Sequence, residues 1–169
     1  MESYRGIVLI ILFAVTVVFV PFVTAQPNVN KEIAAQMINA INERNYDMLD
    51  EVIAPDIVRH CQATPNLNIH SLIEFKEFLK VDGKTFPDSH ITTEILIAEG
   101  DMVAGYFTYS GTQDGAMGPF PPTNKKADLK YLGILRIEDG KIAEMWVEWD
   151  NLAMLTQLGH FPPPEKTDE

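Results

Sequence analysis

The sequence predicts an α+β domain: a curved antiparallel sheet forming a cone, closed by three N-terminal helices, with a pocket between sheet and helices. Three observations predict it. Between residues 30 and 83 apolar side chains recur at helical spacing. Between residues 91 and 149 they follow strand spacing, punctuated by glycine-containing turns. The helices therefore come first and the long strands second, the order of domains that pack helices on one face of an antiparallel sheet.

Asn30 is placed to cap a first helix with the stripe Ile33, Ala34, Met37, Ile38 and Ile41, and Asn45 is its expected left-handed stop. Asp47 starts a short helix through Met48, Leu49, Val52 and Ile53, which Pro55 ends. Residues 56–61 read as a short strand, and 62–70 as a loop. Ser71 and Glu74 form a capping box for a third helix that buries Leu72, Phe75, Phe78 and Leu79. A strand over 91–98 turns at Glu99-Gly100-Asp101 into another over 102–112. After a loop rich in proline and glycine (113–124), a strand over 126–137 and another over 141–149 are joined at Asp139-Gly140, a tight hairpin signal. Asn151 opens a last helix with Leu152, Leu155 and Leu158, and Gly159 closes it.

Residues 1–25 read as an export signal. The stretch 6–23 carries no charge, and Val23-Thr24-Ala25 offers small residues for cleavage after Ala25. The expected result is a secreted or periplasmic domain over 26–160 with a charged, Pro-rich, disordered tail over 161–169. The alternative is an N-terminal membrane anchor, since the apolar run just reaches spanning length. With 24 acidic against 13 basic side chains the net charge is −11, which argues against nucleic acid or anionic lipid as partners; after cleavage no membrane contact is expected. The single cysteine, Cys61, cannot form an internal disulfide, and the four scattered histidines make no ligand set, so no metal is expected.

Several segments, in order along the chain, resemble the SnoaL-like polyketide cyclases, also called ester cyclases. They are Asn42-Glu43-Arg44-Asn45-Tyr46-Asp47 with Pro55-Asp56-Ile57-Val58-Arg59-His60, Phe86-Pro87-Asp88, Ala98-Glu99-Gly100-Asp101, Gly111-Thr112, Pro121-Pro122-Thr123, Ile137-Glu138-Asp139-Gly140-Lys141-Ile142 and Trp146-Val147-Glu148-Trp149-Asp150. The resemblance implies the cone fold shared with nuclear transport factor 2. It also implies cofactor-free chemistry on a small molecule, typified by intramolecular aldol ring closure with an aspartate as acid/base.

The resemblance points first to Asp150, which stands where the family's catalytic aspartate follows Trp…Trp. Strand parity puts Glu144, Trp146, Glu148 and Asp150 on one face, taken as the pocket face, and Met145, Val147 and Trp149 on the other. A carboxylate beside an indole in a partly dry pocket would be a suitable base; equally, Asp150 would cap the helix starting at Asn151. His60 closes the 56–60 strand, where the family commonly has a histidine; it is either a proton partner for Asp150 or a structural hydrogen-bonder. Gln113 departs from the Gly-Thr-His of relatives. It can bind a carbonyl but cannot relay a proton at neutral pH. Arg136 either binds an acid or enolate oxygen or pairs with a glutamate. Trp146, Tyr106 and Tyr109 are candidates for stacking on a flat ligand or for the core. The partners expected are a small-molecule ligand or substrate and a second copy of the chain, the homodimer forming through the face of Met145, Val147 and Trp149. The alternative to an enzyme is a non-catalytic ligand-binding or interaction module using the same pocket.

Overall fold

The computed structural model describes residues 27–162. The expected signal at 1–25 and most of the expected tail lie outside the described residues. The elements are α1 (Pro27–Asn42), a 3-10 turn (Tyr46–Met48), α2 (Leu49–Val52), β1 (Ile53–His60), α3 (Leu72–Thr85), β2 (His90–Glu99), β3 (Met102–Thr112), β4 (Lys126–Glu138), β5 (Lys141–Trp149) and α4 (Asn151–Leu158).

α1 starts earlier than the sequence suggests. Pro27 occupies its first turn, where a missing N–H is harmless. Asn30 is therefore inside the helix and does not cap it; its amide donates to the Gly100 carbonyl at the β2–β3 turn. The stripe Ile33, Ala34, Met37, Ile38 is buried as its spacing requires. At the other end Asn42 donates to the Ile91 carbonyl and accepts from the Ile91 amide, fixing α1 against β2. The left-handed residue after α1 is Arg44 (φ 53°), not Asn45. Its guanidinium donates to the carbonyls of Phe86 and Pro87, which offsets the backbone penalty of a non-glycine residue there.

α3 is capped as its sequence requires: Ser71 Oγ accepts from the Glu74 amide at 3.2 Å. The reciprocal bond goes one residue further out, from the His70 amide to Glu74 Oε2 at 2.7 Å.

The sheet order is β1-β5-β4-β3-β2. β2 to β5 form an antiparallel meander, but β1 pairs with β5 in parallel, so the sheet is mixed and the expectation of a wholly antiparallel sheet is corrected. The reason is connectivity. Hairpins join β2 to β3 and β4 to β5 and force opposite directions there, whereas β1 and β5 are distant in sequence and no turn dictates their sense. Bulges in β1, β2 and β5 bend the strands into an open, curved sheet. Gly100 (φ 59°) and the Asp139-Gly140 pair (φ 50° and 77°) supply the left-handed turn residues.

α1 and α3 cover the concave face. Their stripes pack on Val103, Phe107, Leu135, Ile137 and Met145 to form the main core. A second, smaller core of Phe86, Ala127, Leu129, Met154 and Leu158 holds α4 against β4. No helix among the described residues is long and apolar enough to cross a membrane.

Candidate active site in the concave cavity

Between the concave face and the helices lies a cavity of about 440 Å³. Its walls are mainly apolar: Met37 and Ile38 from α1, Phe75 and Phe78 from α3, Phe107 and Tyr131 from the sheet, and Met117 and Phe120 from the loop after β3. Gly105 and Gly133 face each other across β3 and β4, and a Cβ at Gly105 would fall 2.1 Å from the Phe107 ring. That glycine lets Phe107 lie flat and stack on Tyr131, 4.9 Å between centroids.

Against this apolar wall stand three polar groups that matter chemically. The first is Asp82, on the buried side of α3 in series with Leu72, Phe75 and Leu79. Its residual surface opens on the cavity, so protein surrounds the carboxylate even though the residue is not sealed. Burial pushes its pKa up from 3.8 to about 6, against the opposing pull of the Tyr109 hydroxyl and the Arg44 charge. The second is Tyr109 on β3, whose hydroxyl donates to the Asp82 oxygens at 3.4 and 3.3 Å. Burial, and then the Asp82 charge, raise the phenol, so it stays a proton donor through neutral pH. Phe86 meets the Tyr109 ring edge-on at 5.8 Å and fixes its plane. The third is Arg59 on β1, only 6% exposed, with its guanidinium 5.0 Å from the Phe78 ring centre and 6.0 Å from that of Trp149. Sequence patterns did not single out Asp82 or Arg59. Both were marked by a charge on an apolar face, Asp82 on the α3 stripe and Arg59 two positions from the buried Ile57.

Of the residues expected at the site, Tyr109 lines the cavity. The parity of β5 is as expected, but the faces are reversed, and this is a correction. Met145, Val147 and Trp149 line the cavity, and Glu144, Trp146 and Glu148 lie on the convex side. The cause is helix packing: α1 and α3 seal the row without charges, because burying Glu144 and Glu148 unpaired would be costly. On that convex side His60 stacks on Trp146 (5.2 Å between centroids), and its Nε2 lies 2.7 Å from Glu144 Oε1. Arg136 Nε donates to Glu144 Oε2 at 3.1 Å and its Nη1 to Glu138 at 2.8 Å, the pairing fate of a strand arginine. The His60 hydrogen bond, and next to it Arg136, hold the Glu144 carboxyl below its ordinary value. Glu148 accepts from the Gln62 amide at 2.8 Å. None of His60, Trp146, Arg136 and Glu148 touches the cavity.

Asp150 lies between two cavity-lining residues, Trp149 and Asn151, but its carboxylate turns to α4 and accepts from the Ala153 amide at 2.9 Å. Gln113 is fully buried behind the cavity loop. Its amide nitrogen donates to the Pro121 carbonyl, and its oxygen accepts from Thr123 Oγ1 and lies 2.8 Å from His160 Nε2. Every polar atom of the side chain is thus engaged by protein. The His160 ring also packs on Phe120, at 4.7 Å, so the segment after α4 ties down the loop that borders the cavity.

A concave sheet with helices over it, enclosing a mainly apolar cavity bordered by a carboxylate, defines a cone of the NTF2-like class. The match is also direct in sequence: the SnoaL-like polyketide cyclase family fits residues 31–158, and the chain belongs to that family. A relative, nogalonic acid methyl ester cyclase of Streptomyces nogalater, is 32% identical over 134 residues, which cover 77% of this chain and 97% of the relative. Among solved structures, IdmH from Streptomyces antibioticus superposes with a TM-score of 0.69 at 29% identity, covering 77% of this chain and 98% of its own. A SnoaL-like protein from Jannaschia sp. CCS1 reaches 0.73 at 23% identity, covering 82% and 95%, and that likeness bears on the fold alone.

Proposed function

We propose that this chain is a cyclase-type acid–base enzyme whose chemistry takes place in the concave cavity, with Asp82 as the proton-transferring group. The observation that carries the reading is the Asp82–Tyr109 pair facing an apolar cavity inside a cyclase-family fold. A carboxyl group near pKa 6 is largely ionised at neutral pH yet still basic enough to accept a proton from carbon flanked by two carbonyls. In ring closure the carbanion so formed attacks a carbonyl carbon of the same molecule, and the resulting alkoxide takes up a proton. Nothing is gained or lost, so product and substrate have equal mass. Tyr109 holds the carboxylate in place by its hydroxyl, and the aromatic walls suit a flat polyketide-like molecule. The relative's name supplies the first probe, nogalonic acid methyl ester. Incubation should give a cyclised isomer of unchanged mass by chromatography and mass spectrometry, with kcat/KM rising about tenfold per pH unit below about pH 6 and levelling above it. Binding without any conversion, of this ester or of related polyketides, would leave a ligand-binding module instead.

The convex face supports a homodimer. Ile97 (63% exposed) and Leu132 (60%) stand there with Ile95, Ile134 and Tyr106, and the ladder pairs Tyr106 with Leu132 and Ile134 with Trp146. This patch replaces the row Met145, Val147 and Trp149, which faces the cavity. A contiguous apolar patch of this kind usually marks an interface. The wild type should scatter light as a dimer at tens of micromolar, and Leu132→Glu with Ile134→Glu should halve the mass without loss of helix signal. A monomeric wild type would refute the interface. Export with cleavage after Ala25 rests on the sequence of residues 6–25. Intact mass of the host protein should lack 1–25; a mass that includes them would mean an anchor.

A further inference from the structure

The concave cavity holds a buried cation with no counter-charge among the described residues. Arg59 is 6% exposed, yet among the described residues no carboxylate lies within ion-pairing distance of it. Among the described residues its one side-chain hydrogen bond runs from Nη1 to Thr64 Oγ1 at 3.3 Å, long for a guanidinium donor. A guanidinium carries five N–H donors, so most of its capacity is unused, and the group borders the cavity rather than packed protein. Phe78 and Trp149 hold it by their rings, which fixes its position without consuming its donors. Burial of an unpaired charge is costly, and structures usually avoid it. A site that keeps such a group against apolar walls is complementary to a ligand that brings the anion with it.

We infer that Arg59 is the anchor for a carboxylate on the ligand, so that this cavity favours a flat, largely apolar acid over the corresponding neutral ester. The inference rests on the concave cavity being the substrate site. Planar Arg–carboxylate pairing is bidentate, and it orients the ligand as well as holding it. Asp82 on α3 and Arg59 on β1 both border the cavity, so an acid seated at Arg59 shares the cavity with the carboxylate that must do the chemistry. The overall charge of −11 repels any anion at long range, but the guanidinium acts at contact in a low-dielectric cavity, where its interaction is stronger.

The test uses two probes of nearly equal shape, 2-naphthoate and methyl 2-naphthoate, titrated by calorimetry into the full folded protein. The wild type should bind the acid at least about tenfold more tightly than the ester. Arg59→Met, which keeps the length of the stem, should remove that preference by weakening acid binding far more than ester binding. Arg59→Lys, which keeps the charge but loses the fork, should retain part of it. Equal affinity of the wild type for acid and ester overturns the inference while leaving the cavity reading intact. An Arg59→Met protein that still prefers the acid also overturns it. Failure of both probes to bind the wild type at millimolar concentration overturns the inference and the cavity reading together.

Discussion

Asp82→Asn is expected to lower turnover by about a hundredfold or more while making the protein more stable at alkaline pH. Removing a positioned base costs about two to four orders of magnitude in rate. The substitution keeps the shape of the side chain, and its amide oxygen still accepts from Tyr109, so ligand affinity should change far less than turnover. The stability gain follows from the raised pKa. The folded state holds the proton up to about pH 6, the unfolded chain only to about 3.8. Between those values the unfolded state binds fewer protons, so stability falls as pH rises and the loss is complete above about 6. At 1.36 kcal/mol per pH unit the whole interval corresponds to about 3 kcal/mol as an upper bound. The asparagine variant lacks this loss. Its melting point should exceed that of the wild type at pH 8 and converge with it near pH 4. Asp150→Asn provides the contrast. Its carboxylate caps α4, and asparagine caps about as well, so both turnover and melting point should stay close to wild type. A hundredfold loss in Asp150→Asn with an active Asp82→Asn would return the base to the rim, between Trp149 and Asn151.

Gln113→Ala is expected to destabilise the fold by about 3 kcal/mol, lowering the melting point by about 10 °C. The side chain is completely buried and bonds Pro121, Thr123 and His160 at once. Truncation strands three polar partners and leaves a void, and each stranded buried group costs about 1–3 kcal/mol before relaxation. It also frees the loop that carries Met117 and Phe120 over the cavity, so affinity for an apolar ligand should fall with stability. Arg136→Ala removes two ion pairs on the more exposed convex side. There water screens the charges, and the expected change is small beside that of Gln113→Ala. A Gln113→Ala protein as stable as wild type by thermal melting would mean that the loop is not held through this residue.

The order and type of the elements were legible because helix and strand periods change cleanly between α3 and β2. The capping box at Ser71, the Asp139-Gly140 hairpin and the Gly159 stop are local signals, and local chemistry decides them. The direction of β1 was not legible, because it depends on a pairing between residues more than eighty positions apart. The face that β5 turns to the cavity was not legible either. Parity separates Glu144, Trp146 and Glu148 from Met145, Val147 and Trp149, but it does not say which row the helices cover. The row without charges is the one that helices can cover, and a cavity walled by core side chains is apolar first. The same rule would have found Asp82 and Arg59, each a charge on an otherwise buried stripe. Gln113 was legible as a departure from relatives, but its fate depends on His160 and Thr123, which only the folded loop brings to it.

If Asp82 is the proton-transferring group, its carboxylate, held beside Tyr109 against mainly apolar walls, must exchange a proton near neutral pH. A carbon-detected NMR titration of the side-chain carboxyl groups, with Asp82 assigned through the Asp82→Asn variant, measures this without any substrate. A midpoint at about 6 that disappears in the variant is the expected result. A midpoint near 3.8, the ordinary aspartate value, would place Asp82 in water and contradict the claim.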